Sequence, residues 1–448
     1  MKIGRVTFGK DDFGYGMAYI LWKNGIESKR AGIKTAREFD VLLFSIFWWA
    51  HVYKFYAFCH KAKVGGKRET PHIIVGGFNA FNPNVFFPFA HQVVVGDGED
   101  VIMAALKKEY HSSIYTGREK EVIYADSDIK TNNYVYDHTD ISRIEIARGC
   151  KYKCPYCQLT HLKPYREVNL ESVIDALNNV KTKRVGLFAP NGMTHKDYDK
   201  IIDHCISLSL TNIASDVRYN EIDRYRNSNT AKVGIEGVSY RLRKAVSKPI
   251  TNEKFLKLLI NRANTCRKLG YAPSIETYFI LDLPTEDESD WKEFQDLLDM
   301  VDKTKELNDL TWIMTANVFM PGPHTPFENE VIHLDRDYKS IWREAITDFK
   351  RDKPYNFTIG GRHSVFSPYS RLLSMIATRG GKEAGEIIYN ITANENLKRA
   401  LLGKWRKSLR VLSKFLDHYE GMEKYTEAPR EKPWKIVKIK NNVSTEKY

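Results

Sequence analysis

Apolar runs alternate with amphipathic segments over the first 115 residues of the chain. The apolar runs predict buried strands at Lys2–Phe8, Val41–Phe47, His72–Val75 and Gln92–Val95. The segments between them predict helices at Ala18–Asn24, Tyr53–Lys63 and Glu99–Tyr110. Strands that alternate with helices indicate an open parallel sheet. Ligands of such sheets bind at the carboxyl ends of the strands, where this chain has Gly76-Gly77 and Gly96-Asp97-Gly98.

A second alternating series begins at Ser142, after a polar stretch. Its predicted strands are Ser142–Ala147, Arg184–Phe188, Asn212–Ala214, Lys232–Ile235, Ser274–Ile280 and Thr311–Phe319. Its predicted helices are Leu170–Asn179, Tyr198–Leu208, Ser239–Ala245, Asn252–Leu269 and Ser289–Lys303. The series predicts a full or partial β/α barrel, whose active site lies at the carboxyl ends of the strands. After about residue 335 the pattern is mainly helical, and the Lys-rich end, Arg430–Tyr448, predicts a short strand and a loose tail.

These patterns predict an α/β protein with several domains, because 448 residues exceed the usual size of one core. We expect a Rossmann-like domain at 1–115, a connector at 116–140, the barrel at 141–335 and a mainly helical basic domain at 336–448. The apolar fraction of 42% and the aromatic fraction of 12% are sufficient for packed interiors.

The net charge of +13 bears on the choice of partner. A basic surface attracts phosphates, so a nucleic acid, a nucleotide or another phosphorylated ligand is one interpretation. A Lys-rich solvated surface without a partner is the other, since net charge alone does not locate a patch.

Cysteine usage and the N-terminus bear on the compartment. Six cysteines, unevenly spaced, are too few for a disulfide scaffold. The N-terminus lacks the pattern of a signal peptide, and the longest apolar run, Val41–Ala50, is too short to cross a bilayer. We therefore expect a cytoplasmic protein with no membrane association.

Three cysteines crowd into eight residues directly after the first barrel strand. Cys150, Cys154 and Cys157 have the spacing Cys-x3-Cys-x2-Cys, and Tyr156 precedes the last one. Thiolates are soft ligands suited to iron–sulfur clusters. Three thiolates on four irons leave one iron open to a cofactor's amino and carboxylate groups. His161 keeps a Cys3His zinc site open as an alternative, and three unligated thiols are another.

This cysteine loop resembles the signature of the radical S-adenosylmethionine (radical SAM) superfamily. Further blocks resemble the branch that contains cobalamin-binding radical SAM proteins and methylthiotransferases. These blocks are Ile74–Gly77, Val95–Glu99, Gly234–Leu242, Ile280–Glu286 and Phe319–Phe327, so the resemblance covers roughly residues 40 to 330. It implies a 4Fe–4S cluster and S-adenosylmethionine as cofactors and an external electron donor as a partner.

The resemblance also implies roles for individual residues, although it identifies no catalytic residue. It assigns the iron to Cys150, Cys154 and Cys157 and the neighbourhood of the adenine to Tyr156. The remaining cofactor contacts would come from strand ends: Pro190 and Asn191 for the methionyl amino group, Asp216 and Arg218 for the ribose or carboxylate, and Glu236 at the same mouth. For Asp216, Arg218 and Glu236, an ordinary solvated or salt-bridged loop is the alternative.

The first domain resembles a cobalamin-binding fold. The candidate cobalamin residues lie after predicted strand ends and are Trp48, Trp49, Gly76, Gly77, Gly96, Gly98 and Glu99. Glycine there would let the backbone approach a bulky ligand, while an aromatic core is the alternative for the tryptophans. Two departures limit the resemblance: the chain lacks an Asp-x-His-x-x-Gly loop, and it has Asp282 where relatives usually have Gly.

Three functions follow as hypotheses. The first is a radical SAM enzyme that cleaves S-adenosylmethionine to a 5′-deoxyadenosyl radical and modifies a carbon centre, with cobalamin-dependent methyl transfer as the subtype. The second is a radical isomerase, or another rearrangement of a nucleic-acid base, that does not use cobalamin. The third is a zinc-containing nucleic-acid-binding protein. Methylthiotransfer is disfavoured, because those relatives carry a second three-cysteine set and the first domain has only Cys59.

The basic C-terminal region suggests the class of substrate. Its candidate basic face comprises Lys398, Arg399, Lys404, Arg406, Lys407, Arg410, Lys414 and the segment Lys432–Lys440. Phosphates would bind this face, and Trp405 and Trp434 could stack on bases. A solvated helical face is the competing interpretation.

Overall fold

Packing divides the computed structural model into two units. The structure describes residues 1–8, 15–66, 68–87, 89–138, 140–214, 219–225, 230–334, 336–347, 356–359, 368–401 and 405–439. The first unit contains Met1–Asp128, Gly322–His324 and Ser367–Tyr448, and the second contains Ile129–Pro321 and Thr325–Phe366. The predicted domain boundaries near 115, 140 and 335 stay predictions, because the division into two units reports which segments pack together and not which segments fold as separate domains.

The described elements follow the predicted alternation. The strands are β1 (Ile3–Thr7), β2 (Lys29–Arg30), β3 (Val41–Ser45), β4 (His72–Gly76), β5 (Gln92–Val94), β6 (Ile114–Tyr115), β7 (Val122–Ile123), β8 (Tyr136–His138), β9 (Ile141–Glu145), β10 (Ala147–Arg148), β11 (Arg166–Glu167), β12 (Arg184–Phe188), β13 (Thr211–Ala214), β14 (Ala231–Glu236), β15 (Ser274–Leu281), β16 (Thr311–Val318), β17 (Asn356–Ile359) and β18 (Val437–Lys438). The α-helices are α1 (Tyr15–Lys23), α2 (Trp49–Ala62), α3 (Ile102–Lys107), α4 (Gln158–Leu162), α5 (Leu170–Asn178), α6 (Tyr198–Ser207), α7 (Tyr240–Ala245), α8 (Asn252–Lys268), α9 (Glu288–Asp302), α10 (Tyr338–Thr347), α11 (Pro368–Arg379), α12 (Lys382–Ala393), α13 (Glu395–Leu401), α14 (Trp405–Leu416) and α15 (Glu423–Thr426). Short 3-10 helices cover Ala36–Glu38, Pro83–Phe86, Gly192–Thr194, Tyr219–Arg224, Lys305–Leu307, Asp417–Tyr419 and Pro433–Ile436.

A six-stranded sheet forms the centre of the first unit. Its order is β2-β1-β3-β4-β5-β6, with β6 antiparallel to β5 and the other neighbours parallel. The order 2-1-3-4-5 is that of a doubly wound fold, which binds ligands where the strand order reverses, between β1 and β3. The predicted Rossmann-like sheet is therefore confirmed.

The C-terminal helices belong to this first unit, an association that the sequence did not predict. α11 and α12 pack against α2, and the Asn82 side chain donates hydrogen bonds to the carbonyls of Ala377 and Gly380, both at 3.0 Å. The predicted short strand near the end of the chain is β18, which pairs with β7. Trp434 is fully buried, so the prediction that it stacks on a nucleic-acid base is wrong: its large ring fills a core instead.

Two sheets of mainly parallel strands form the second unit. Their orders are β13-β12-β9-β8 and β14-β15-β16-β17, with β8 alone antiparallel to its neighbour. Alternate strand residues, such as Val185, Val233 and Phe279, pack with the helices in one apolar core. The opposite face of β15 carries the half-buried residues Glu276 and Tyr278. This strand–helix alternation confirms the predicted α/β fold class.

Within the part of the chain that the structure describes, no helix has both the length and the apolar composition that a membrane crossing needs.

Candidate active site

The cysteine loop begins at a glycine that no other residue could replace without strain. Gly149 has a φ of +77°, and a Cβ there would lie 2.3 Å from the carbonyl oxygen of Pro164. The antiparallel pair β10–β11 closes the base of the loop, and α4 begins directly after Cys157. The loop therefore sits at the carboxyl end of β9, where a barrel active site is expected.

An ion pair anchors the start of this loop. The guanidinium of Arg148 donates two hydrogen bonds to the carboxylate of Glu145, each of 2.8 Å, and Asn132 donates a third at 3.0 Å. Glu145 ends β9 and Arg148 precedes Gly149. The sequence did not single out this pair, because an acid and a base three residues apart are common anywhere.

The loop gathers the three predicted thiols. Cys154 is buried, while Cys150 and Cys157 are partly buried. Burial, together with the neighbouring thiols of Cys154 and Cys150, raises the pKa of Cys157 to about 12, even though backbone N–H groups act to lower it. Thiolates this close together need a cation, and three soft donors in one loop fit an iron–sulfur cluster.

The zinc alternative depended on His161. Its ring Nε2 lies 3.1 Å from the carbonyl oxygen of Cys154, so that nitrogen bonds to the backbone of the loop. Among the residues that the structure describes, no three His, Cys, Asp or Glu side chains are arranged around one metal ion. The ligands of a cluster bind separate irons and do not converge on one point.

The predicted residues Tyr156 and Glu236 lie together. Glu236 ends β14 and accepts a hydrogen bond from the hydroxyl of Tyr156. Its Oε1 atom also lies 2.5 Å from Nζ of Lys248, a residue that the sequence did not single out. Lys248 carried no sequence signal, since one lysine in a loop after a helix is usually solvated. The structure thus brings the cysteine loop to the end of β14.

The loop after β12 also contacts the cysteine loop. It contains Pro190, which is partly buried, and Asn191, which is buried, and it leads into the 3-10 helix that ends at Thr194. Nζ of Lys151 donates a 2.8 Å hydrogen bond to the carbonyl of Thr194, lies 3.3 Å from Glu167, and sits over the Tyr165 ring. Lys151, which follows Cys150 in the chain, therefore links the cysteine loop to the loop that contains Pro190 and Asn191, the predicted site of the methionyl amino group.

The segment after β16 reaches the same loop. The amide of Phe327 donates a 3.2 Å hydrogen bond to the carbonyl of Pro155, and the Phe327 ring lies 5.9 Å from that of Phe319. Three strand ends, those of β12, β14 and β16, thus approach the cysteine loop. Asp216 and Arg218, the other predicted cofactor residues, lie outside the described residues.

A second group of buried polar side chains follows β15. Asp282 has a φ of +64°, and it accepts hydrogen bonds from Nδ1 of His333 at 2.8 Å and from the Tyr338 hydroxyl. Glycine adopts this left-handed conformation most readily, so Asp282 occupies a position whose backbone suits the Gly that the family resemblance implies there. Burial raises the pKa of nearby Glu286 to about 8, with Asp282 and Asp290 adding to the effect.

The candidate cobalamin residues lie at strand ends of the first unit, as predicted. Trp48 precedes α2 and is 52% exposed, with its ring 4.9 Å from Phe47. Trp49 packs edge-on against Phe81 at 5.3 Å. Glu99 is buried beyond the end of β5. The two tryptophans therefore form an aromatic surface at the carboxyl end of β3.

The glycines of this unit have neighbours in the protein itself. A Cβ at Gly77 would lie 2.8 Å from the backbone of Ile46, and one at Gly96 would lie 2.4 Å from the backbone of Ala125. A Cβ at Gly98 would lie 2.8 Å from the side chain of Ile20, whereas one at Gly76 would make only an ordinary contact of 3.7 Å with Val94. The close approach at Gly77 and Gly96 is thus to the chain's own backbone, and the role of these glycines towards cobalamin stays a prediction.

Part of this chain is similar in sequence to known proteins. Residues 144–298 match the family model of the radical SAM superfamily. An uncharacterized protein of Methanocaldococcus jannaschii, MJ0966, is 25% identical over 303 residues, which are 61% of this chain and 65% of that relative. The chain therefore spans less than two thirds of this curated relative.

Solved structures show a similar fold. The cobalamin-dependent S-adenosylmethionine radical enzyme OxsB, with aqua-cobalamin bound, aligns over 94% of this chain and 75% of its own, with a TM-score of 0.51 and 14% identity. The apo form of OxsB aligns with a TM-score of 0.49. At this identity the likeness concerns the fold alone.

Proposed function

We propose that this chain, whose residues 144–298 form a radical SAM domain, modifies a carbon centre of its substrate by cobalamin-dependent methyl transfer. The observation that carries the proposal is the gathering of Cys150, Cys154 and Cys157 in one loop at the carboxyl end of β9. This is the position at which a barrel presents its chemistry.

The bound cofactors would supply the reactive chemistry: an electron from the cluster cleaves S-adenosylmethionine to a 5′-deoxyadenosyl radical, and cobalamin carries the methyl group. The chain's own residues hold and enclose them. Lys151 fixes the β12 loop, with Pro190 and Asn191, against the cysteine loop. Tyr156 and Glu236 join the loop to the end of β14. These contacts would position the methionyl and adenosyl parts and keep water out.

Two features support cobalamin as the further cofactor. The first unit has the doubly wound strand order, with an aromatic surface of Trp48 and Trp49 at a strand's carboxyl end. Flat aromatic rings are suitable partners for a corrin face. The fold is also similar to that of OxsB, which is cobalamin-dependent.

A second candidate is a radical rearrangement, for example of a nucleic-acid base, without cobalamin. The specific observation in its favour is that the backbones of Ile46 and Ala125 occupy the space beside Gly77 and Gly96. These glycines would then serve the fold only, and the first unit would act as a platform.

The test is anaerobic reconstitution with iron and sulfide, with and without cobalamin. We expect one 4Fe–4S cluster per chain, which the triple Cys150→Ala, Cys154→Ala, Cys157→Ala variant should lose. Cys205→Ala is the matched control, because it removes a buried thiol of α6 in the same unit. Stoichiometric zinc without iron would instead identify the zinc-binding class.

The products separate the two radical reactions. With substrate and a strong reductant, which stands in for the external electron donor, both should yield 5′-deoxyadenosine. Methyl transfer should also yield S-adenosylhomocysteine, and only when cobalamin is present. Absence of both products from a fully loaded protein would contradict the radical proposal.

A further inference from the structure

Strand β14 ends in a residue with an unfavourable backbone conformation. Glu236 has a φ of +69°, in the left-handed region that residues with a Cβ rarely adopt. Its side chain is also buried. Strain persists only where the surroundings impose it, and it concentrates at functional sites.

Lys248 provides the strongest contact. Its Nζ atom lies 2.5 Å from Oε1 of Glu236 and donates a 2.8 Å hydrogen bond to the carbonyl of Gly234. Both charged side chains are only 10% exposed. A carboxylate buried to this extent needs a cation close by, so Lys248 fixes where the Glu236 carboxylate lies.

Gly234 makes room for this pair. A Cβ at Gly234 would lie 2.2 Å from Oε1 of Glu236 and 2.5 Å from Nζ of Lys248. The absence of a side chain at this position is therefore a condition for the ion pair. The three residues form one arrangement at the end of β14.

The arrangement extends to the cysteine loop. The Tyr156 hydroxyl donates to Glu236, and Tyr156 directly precedes Cys157 in the loop. Lys248 is thus connected, through one carboxylate, to the tyrosine that directly precedes one of the three proposed cluster ligands.

We propose that Lys248 is a positioning residue of the cofactor site. It holds the Glu236 carboxylate under the Tyr156 hydroxyl, and this contact sets the orientation of the cysteine loop and the binding of S-adenosylmethionine beside it. Lys248 itself would touch neither substrate nor cofactor. The inference rests on the proposed function, and it assigns Glu236 an action through Tyr156.

The first test measures S-adenosylmethionine affinity of the reconstituted protein. Lys248→Met removes the cation, and Gly234→Ala crowds the pair while keeping both charges. We expect both variants to bind a full complement of iron. Their affinity for S-adenosylmethionine should be lower by about tenfold or more, which corresponds to about 1.4 kcal/mol. Lys248→Arg should recover part of the loss, because it keeps the charge. Lys244→Met, which removes an exposed lysine of α7, should bind like the wild type.

The second test measures the midpoint reduction potential of the cluster. If Lys248 and Glu236 served only to pack the core, replacing one or the other would not shift this potential in opposite directions. Lys248→Met leaves a negative charge near the cysteine loop, so reduction becomes harder and the potential falls. Glu236→Gln leaves a positive charge, so the potential rises.

Equal affinity and equal potential in Lys248→Met, Gly234→Ala and the wild type, all with full iron, would overturn the inference while leaving the proposed function intact. If these variants lose the cluster, Tyr156→Phe provides the measurement, since it removes one hydrogen bond and keeps the ring. Unchanged affinity in Tyr156→Phe would then overturn the inference. A wild-type protein that assembles no iron would instead defeat the proposed function itself.

Discussion

Left-handed backbone conformations mark the residues on which the candidate site depends. Gly149 opens the cysteine loop, Glu236 ends β14 and Asp282 follows β15, and all three have a positive φ. A glycine adopts this conformation without strain, whereas the two acids are held there by buried hydrogen bonds, to Lys248 and Tyr338 respectively. The geometry of the site is therefore set at single residues.

Gly149 permits a prediction with a matched control. Gly149→Ala should lose most of the bound iron after reconstitution, because the new methyl group would meet the Pro164 carbonyl at 2.3 Å. Gly270→Ala has a similar φ of +75° but no atom within 4 Å of the new Cβ. Both variants should lose about 1–2 kcal/mol of stability from the backbone conformation, and only the first should lose iron. Equal iron content in the two variants would contradict this account.

At the level of elements, the connections after β14 and β15 carry several of the buried acidic and basic side chains of the second unit. The connection after β14 holds the Glu236–Lys248 pair. The one after β15 holds Asp282, Glu286 and Asp290, where a capping box with Asp287 also begins α9. Parallel strands place these connections at one edge of a sheet, which is why they meet there.

Glu286 gives this connection a pH dependence. Its pKa in the folded protein is about 8, raised chiefly by burial, against about 4.3 in an unfolded chain. Between these values the folded state keeps a proton that the unfolded state releases. Stability should therefore fall as pH rises through this window, by up to about 1.4 kcal/mol per pH unit, and level off above it.

Thermal unfolding measured across this pH window checks the sign. Glu286→Gln should flatten the fall in the midpoint temperature, because the amide does not titrate. Glu288→Gln, which changes an exposed carboxyl two residues along, should keep the slope of the wild type. A wild-type midpoint that rises steadily between about pH 5 and pH 8 would contradict the prediction.

At the level of the whole molecule, residues 144–298 match the radical SAM family model, as the cysteine spacing predicted. The family implies the two predicted cofactors, a 4Fe–4S cluster and S-adenosylmethionine.

The charge is unevenly distributed: residues 367–448 contain 17 Lys and Arg against 9 Asp and Glu, which is +8 of the total +13. Lys407, Arg410 and Lys414 are exposed on α14, whereas Lys404 and Lys440 lie outside the described residues.

We predict that the basic face of α14, which comprises Lys407, Arg410 and Lys414, binds nucleic acid. Affinity for RNA or DNA should fall steeply as salt rises, because binding releases counterions. Replacing Lys407, Arg410 and Lys414 with Gln should weaken binding and reduce the salt slope by roughly 1 per lost phosphate contact. The matched control replaces the three exposed lysines of α8, Lys254, Lys257 and Lys268, with Gln. If nucleic acid does not bind at low salt, or binds equally to both triple variants, the basic face of α14 is not a nucleic-acid-binding surface.

The sequence by itself determined the local features of the protein. The spacing of Cys150, Cys154 and Cys157 identified the radical SAM domain, and hydrophobic periodicity located the strands and helices of both series. It missed short strands such as β10 and β11, because two residues carry no period. These features were predictable because each depends on residues close together in the chain.

Only the tertiary structure decided which distant residues meet. Tyr156 bonds to Glu236, 80 positions away, and Lys248 completes that pair from the loop after α7. The C-terminal helices pack in the unit of the N-terminal sheet, and the backbone of Ala125 fills the space beside Gly96. Periodicity reports which face of an element is buried but not what covers it, so these partners follow from the packing of the whole chain.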